Sequence, residues 1–395
     1  MIASKKLLFL GGGRSNINAI KSALELGIKP YVVGMEGNYP GYKLAEKIFI
    51  ANIMDKYDVM KAIKDEEIDG VLICCSDRAI ETVGFLNDHL GLNGITESAA
   101  KRCNNKYEMK QALFNKGVNT AKFMKLEKEA DLKRALELLT FPVIVKAVDL
   151  QSSKGVYICK DETELMENYC KSISESNLTY CIVEEFIEGR ELGAQAFVCN
   201  GKIVFVLPHG DIIAHEGKST VPVGHYAPLD CCEKLRKRIA EEAGKAIDAL
   251  ELNNCAVNID FIVKDDVPYI LELSGRVGAN CLPEMTGYHY GMDYYKMIVA
   301  VAVGEDPFSY FTPNMKGKIT LVKMINSSET GVLELLEYDK DMLPYVSFFV
   351  NKGDKVSSFK NSNDCIGEML VQGDTMEECE EKIRKFYEKL VIRFK

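Results

Sequence analysis

The chain has 395 residues, 47% of them apolar and 27% charged, with 49 Lys and Arg against 58 Asp and Glu and a net charge of −9. That length exceeds one ordinary hydrophobic core and asks for two to four packed units. The acidic balance, with no basic run, argues against nucleic acid as a partner, and no apolar stretch reaches the roughly 18 residues of a membrane span.

The amino terminus, Met1-Ile2-Ala3-Ser4-Lys5-Lys6, runs straight into a strand-like segment. It lacks the apolar core and cleavage site of a signal peptide, so the expected location is the cytoplasm. The 13 cysteines include no C-x-x-C spacing and read as free thiols in a reducing compartment. The five histidines are scattered and promise no zinc cluster.

Over about the first 95 residues, the apolar runs Leu7–Leu10, Tyr31–Val33, Ile48–Ile50 and Val71–Cys74 alternate with helical patterns such as Ile17, Ile20 and Leu24. This alternation predicts a parallel sheet with helices on its faces. Gly11-Gly12-Gly13-Arg14-Ser15-Asn16 joins the first strand to the first helix. A dinucleotide fingerprint needs glycine where Asn16 stands, so the run reads as a tight turn lining a pocket, not as an NAD site.

From 106 to 185 the pattern changes to a small α+β unit. It holds helix Lys106–Lys116, a strand, helix Asp131–Leu139, strands Val143–Val148 and Val156–Cys159, a helix near 162–173 and strand Tyr180–Glu184. Lys146 stands in an apolar strand, which is costly unless its charge is matched. The polar turn Asp149–Val156 follows, with Ser152, Ser153 and Gly155. A strand lysine beside a Ser/Gly turn can clamp phosphate; an ordinary hairpin with an exposed lysine is the competing reading. The acidic stretch Val183–Glu191 reads either as a nucleoside-facing junction or as a solvated turn.

From 190 to 275 the strands Leu192–Val198, Lys202–Leu207, Asn258–Val263 and Tyr269–Leu273 read as antiparallel, interrupted by helix Cys232–Leu250. Asp260 and Glu272 lie twelve residues apart across a hairpin turn, so they can sit side by side. Two such carboxylates repel unless a proton or cation intervenes, and Mg²⁺ takes one or two carboxylates plus nucleotide phosphates. Exposed strand carboxylates are the alternative. Arg276 can meet an anionic substrate or the transferring phosphate. His209, Asp211, His215 and Lys218 are expected on a loop between strands, and Cys281 is read as a packing residue. Helix Met292–Val303, strands Lys318–Val322 and Tyr345–Val350, and a terminal amphipathic helix Met376–Arg393 complete the chain.

Taken in order, these motifs resemble the ATP-grasp superfamily, most closely its carboxylate–amine ligase branch of amino-acid ligases, related to the carbamoyl-phosphate synthase and biotin carboxylase groups. The resemblance covers nearly the whole chain. It implies α/β and α+β architecture in four parts: an N-terminal parallel α/β domain (1–105), a small lid domain (106–187), a large antiparallel-sheet domain (188–315) and a small C-terminal domain (316–395). It implies ATP and Mg²⁺, with Mn²⁺ as a substitute. Lys106 and Lys146 would hold phosphates, and Ser152, Ser153 and Gly155 would cover them. Glu184, Glu185 and the backbone of Ile187 would face the base, and Glu191 the ribose. Asp260, Glu272 and Ser274 would hold metal, with Arg276 and Lys146 at the chemistry.

The resemblance further implies small-molecule carboxylate and amine substrates, joined through an acyl phosphate, and a homodimeric assembly. Two departures stand out. Ser274 replaces the usual metal-ligating Asn, and the phosphate loop has one glycine where many members have several. A bicarbonate-dependent carboxylase, a non-catalytic ATP-binding protein and a simple kinase are the rival readings.

Overall fold

The computed structural model describes residues 4–151, 154–216, 219–315, 317–361 and 364–395. Residues 6–104 form β1 (Lys6–Leu10), α1 (Ile17–Glu25), β2 (Lys29–Gly34), β3 (Lys47–Ile50), α2 (Lys56–Ala62), β4 (Gly70–Leu72), α3 (Ile80–Leu90) and α4 (Glu97–Asn104). The sheet order is β3-β2-β1-β4 and all pairings are parallel, as the alternating pattern predicted. Leu7, Leu8 and Phe9 of β1 are fully buried, because helices cover both faces of a central parallel strand. The Gly11–Gly13 turn holds no nucleotide fingerprint. Instead Asn16 donates to the carbonyls of Leu10 and Gly11 and accepts from the Cys74 amide, pinning the ends of β1 and β4 together.

The second unit contains α5 (Lys106–Asn115), β5 (Phe123–Leu126), α6 (Glu129–Leu138), β6 (Val143–Ala147), β7 (Val156–Cys159), α7 (Glu162–Glu175) and β8 (Cys181–Glu185). Its four strands form a separate antiparallel sheet, β5-β8-β6-β7. Asn105, Asp161 and Thr96 cap α5, α7 and α4 through their side chains, which satisfies otherwise orphaned amides at the helix starts. Leu126, Val145, Cys159, Cys181 and Val183 build a small core of its own.

The remaining elements are β9 (Arg190–Cys199), β10 (Lys202–Glu216), β11 (Ser219–Ala227), α8 (Glu233–Leu250), β12 (Cys255–Lys264), β13 (Val267–Ser274), α9 (Leu282–Tyr290), α10 (Tyr294–Ala302), β14 (Ile319–Ile325), β15 (Gly331–Glu337), β16 (Tyr345–Phe348), β17 (Lys355–Val356), β18 (Gly367–Gly373), α11 (Met376–Lys389) and β19 (Val391–Phe394). One eight-stranded sheet runs β13-β12-β9-β10-β11-β14-β18-β16. Strands from both sides of residue 316 therefore belong to the same sheet. A three-stranded sheet, β17-β15-β19, stands beside it.

Two expectations are corrected here. His209 and Asp211 are not on a loop: β10 is 15 residues long and carries both, pairing with β11 from Gly210↔Tyr226 to Glu216↔Ser219. The histidines and Pro208 broke the apolar alternation that would have extended the strand by pattern alone. The side chain of His215, and Lys218, lie outside the described residues. The terminal helix also stops at Lys389, and Val391–Phe394 turns back as a strand against β15.

No described helix is long and apolar enough to cross a membrane. All 13 cysteines are free thiols. The N-terminal sheet packs against α10 so closely that a Cβ on Gly70 would lie 2.2 Å from the Ala302 carbonyl oxygen. Backbone cannot yield there as a side-chain tip can. Gly70→Ala should cost about 1–3 kcal/mol through overpacking, read as a lowered midpoint in urea unfolding.

Candidate functional site

The site grows from register. His209 of β10 pairs with Gly193 of β9, Gly193 pairs with Asp260 of β12, and Asp260 pairs with Glu272 of β13. Register partners point to the same face of a sheet. One transverse row therefore carries an imidazole, a gap, and two carboxylates. The next row on that face carries Gln195, Asn258 and Ser274. Gln195 donates to Asn258 at 2.7 Å, and Asn258 donates to Asp260 at 3.3 Å.

Burial pushes the Asp260 carboxyl up to about 8, and the charges of Glu272 and Asp211 push the same way. A carboxylate so placed favours a proton or a nearby cation. Glu272 is 48% exposed at the side chain and lies 3.8 Å from the Lys106 ammonium. Lys106 also donates to the Leu150 carbonyl, which ties it to the turn after β6.

Lys146 donates to Glu184 at 2.9 Å. Glu184 is fully buried, and it receives a second cation that the sequence reading missed: Lys110, on α5, at 3.4 Å. Lys110 also donates to Thr120 at 2.6 Å and to the Ile270 carbonyl at 3.3 Å. Burial draws Lys110 down to about 8, against the pull of Glu184. Burial works against ionisation of Glu184 too, but the two ammonium groups outweigh it and hold the carboxyl below its usual range. The signal was present, since Lys110 lies four residues after Lys106 and so shares its helix face. The Oε2 atom of Glu184 serves both lysines, while Oε1 is buried without a partner.

Asp77, also missed, sits in the turn between β4 and α3. It accepts from Ser274 Oγ at 2.5 Å, from Arg276 Nε at 2.8 Å and from Arg276 Nη2. Burial opposes its charge, but Arg276 and Ser274 hold it ionised below its usual range. Asp77 lies just beyond the carboxyl end of a parallel strand, the place where such sheets present functional groups, and that position was a readable cue. Ser274 thus spends its proton on Asp77 and keeps oxygen lone pairs on the face it shares with Glu272. Arg276 is half-buried and oriented bidentately.

The structure gathers Lys106, Glu272, Ser274, Arg276, Asp77, Asn258, Leu150 and Gln151 around one small cavity. Lys146 and Glu184 reach the same neighbourhood through Lys110. Gly155 has φ +65, and a Cβ there would meet Ala147 at 2.7 Å, so only glycine closes that turn. Ser152 and Ser153 lie outside the described residues. Ile187 packs with Ala121 and Ile262 at the junction of the lid and the large sheet, Glu185 is partly exposed just before it, and Glu191 is exposed on β9. Cys281 is buried and its thiol is pushed well up by burial, in keeping with a packing role.

Residues 103–280 match the family model described as an ATP-grasp domain. The chain is 30% identical over 289 residues, 69% of this chain and 70% of its relative, to the formate-dependent phosphoribosylglycinamide formyltransferase of Methanococcus maripaludis. This chain belongs to the ATP-grasp superfamily. The matched segment contains every position from Lys106 to Arg276. The fold follows that of the crystal structure of phosphoribosylglycinamide synthetase from Anaerococcus prevotii, with a TM-score of 0.88 and 40% identity, covering 99% of this chain and 100% of that one. The alanine–anticapsin ligase of Bacillus subtilis is 28% identical over 236 residues, 54% of this chain. The chain spans about half, 50%, of that ligase's length.

The Lys110–Glu184–Lys146 group makes a stability test. Glu184→Leu would leave Lys110 buried with no opposing charge, and breaking such a pair costs about 3–5 kcal/mol. Urea unfolding of the variant should show that loss, with Lys110→Met–Glu184→Leu recovering part of it.

Proposed function

We propose that this protein is an ADP-forming ligase that activates a small carboxylate as an acyl phosphate and passes it to an amine. The observation that carries the reading is the Asp260–Glu272 pair: two carboxylates on one sheet face, one of them pushed to about 8, beside the Lys106 ammonium. That arrangement has negative charge waiting for a divalent cation and positive charge waiting for phosphate.

The donor set fits the nucleotide and its metal. Asp260, Glu272 and the lone pairs of Ser274 are hard oxygen donors, which suit Mg²⁺. When bound, Mg²⁺ supplies neutralisation of the charge on the transferring phosphoryl group. Lys106 and Lys146 hold the phosphates, with Ser152, Ser153 and Gly155 as the cover. The partnerless Glu184 Oε1 accepts from the base. Glu185 and the Ile187 backbone border the base, and Glu191 meets the ribose. Arg276, locked by Asp77, presents its remaining donors to the substrate carboxylate or to the transferring phosphate. The chain supplies positioning and electrostatics, and no side-chain nucleophile is needed. Closure of the 106–187 unit keeps water from the acyl phosphate. Mn²⁺ as a substitute, a homodimer and a cytoplasmic location belong to the same proposal.

The first experiment measures ADP release from Mg-ATP with pooled carboxylates and amines, with and without hydroxylamine. The pool includes amino acids, formate, bicarbonate and phosphoribosylated amines, following the names of the relatives. Hydroxamate that disappears in Asp260→Asn is the expected result. ADP release with bicarbonate alone would move the assignment to a carboxylase. ATP binding with no ADP under any condition would overturn the ligase reading.

A pH test follows from Asp260. Its folded pKa, about 8, lies above the unfolded value of about 3.9, so the folded chain binds more protons and the metal-free protein loses stability as pH rises between those values. Mg²⁺ replaces the proton. Thermal melts should therefore show a larger Mg²⁺-induced rise in Tm at pH 8 than at pH 6, and Asp260→Asn should abolish the difference.

A further inference from the structure

His209 and Asp211 stand two residues apart on β10, so they share one face of the sheet. His225 of β11 is the register partner of Asp211 and joins them on that face. Both strands are laddered on both sides, β10 to β9 and β11, and β11 to β10 and β14. The three side chains therefore rise from backbone that does not readily spread. His209 is 2% exposed and His225 4%, while 18% of the Asp211 side chain meets solvent.

One oxygen gathers the group. His209 Nδ1 lies 3.1 Å from Asp211 Oδ1, and His225 Nδ1 lies 2.7 Å from the same atom. The rings cross at 79°, with centroids 5.3 Å apart. Two nitrogens and an oxygen thus converge, and the three residues offer ligand atoms that all lie within 4.8 Å of one another. A cation with bonds of about 2.0–2.1 Å sets two ligands at right angles about 2.9 Å apart. The separations of 2.7 and 3.1 Å fall on either side of that distance.

Charge points the same way. Burial opposes ionisation of Asp211, yet its two imidazole partners hold the carboxyl well below the usual range. Burial also draws His209 below its ordinary value, which leaves that imidazole neutral at pH 7. Among the described residues, no lysine or arginine pairs with Asp211. Its negative charge is felt at Asp260. Buried charge of this kind is ordinarily paired with a cation or bound to a metal.

We propose that His209, Asp211 and His225 form a divalent-cation site of their own, separate from the Asp260–Glu272 pair, which takes a transition ion such as Zn²⁺, Co²⁺ or Fe²⁺ through both Nδ1 atoms and Asp211 Oδ1. Two imidazoles and one carboxylate suit such ions, whereas Mg²⁺ and Ca²⁺ favour oxygen throughout. Without a cation each Nδ1 donates its proton to the acceptor-only carboxylate. A cation takes the Nδ1 lone pairs instead, and in a neutral ring the proton moves to Nε2. Each Nε2 is buried with no hydrogen-bond partner, so the change of tautomer creates no unpaired group that was not there before. Filled, the site clamps β10 to β11 and cancels the Asp211 charge. It borrows no residue from the proposed nucleotide site.

The test uses the full chain with Co²⁺ and no nucleotide, in excess Mg²⁺ to occupy sites built from oxygen alone. Paramagnetic proton NMR should show two strongly shifted ring N–H resonances, those of the two Nε2 atoms, which are lost on exchange into ²H₂O. Zn²⁺ should displace Co²⁺ and erase both. In His225→Gln one resonance should disappear, and equilibrium dialysis should show Co²⁺ affinity at least about tenfold weaker, the lower end of what loss of even an outer partner costs a metal site. Asp260→Asn should leave both resonances in place, which separates this site from the nucleotide one. No retained Co²⁺, retained Co²⁺ with no shifted ring N–H, or sulfur-to-cobalt absorption from cysteine capture in their stead would overturn the inference. So would loss of both resonances in Asp260→Asn. The unaltered protein gives its count of resonances whether or not the His225 variant folds.

Discussion

Two carboxylates fixed side by side on paired strands cannot both stay ionised in a half-buried place without a positive partner. The Asp260–Glu272 pair is that constraint, and much of the surrounding structure answers to it. Lys106 stands near Glu272, Asn258 gives Asp260 a weak hydrogen bond, and Arg276 is turned aside to Asp77 rather than spent on the pair. Arg276 would have been the easy neutraliser. Its commitment to a carboxylate from the N-terminal sheet leaves the pair short of charge and joins two units of the fold in the same contact.

A similar economy governs the lysines. Glu184 accepts both Lys110 and Lys146 through a single oxygen. The anion is needed because a fully buried ammonium is otherwise unfavourable. Its other oxygen faces no partner. The two ammonium groups are thereby held in place by one oxygen of one carboxylate.

Much of this was legible in the sequence. The parallel N-terminal sheet followed from runs such as Leu7–Leu10 and Val71–Cys74, and the Asp260–Glu272 pairing followed from a hairpin whose turn lies midway between them. The last step was not legible: the ladder from Lys264↔Val267 to Phe261↔Ile270 would set Asp260 against Leu271, and a register shift between Asp260 and Phe261 brings it opposite Glu272. Other features were hidden because they depend on long-range contact. Asp77 meets Arg276 across 199 positions of sequence, and nothing local announces that. His209 and Asp211 were assigned to a loop because polar side chains interrupt an apolar alternation. The strand persists through them because it is laddered on both sides, to β9 and to β11. The scattered histidines promised no metal cluster, yet the β10–β11 pairing puts two of them on one carboxylate. Ser274 was read as a bare metal ligand, and its hydrogen bond to Asp77 could come only from the third dimension.

The eight-stranded sheet passes without interruption from β13 to β16, taking in strands on both sides of residue 316. Mechanically it is one slab. Its hydrogen-bond ladders resist bending between β12–β13 and the C-terminal strands. Among the described residues the four-stranded sheet of residues 123–185 shares no ladder with it; the two units meet through the Thr120↔Ile270 bridge, the Lys110 bonds, the Lys106–Glu272 pair and the packing of Ile187 on Ile262. Give between parts of the molecule therefore falls at that seam of contacts and not within the slab.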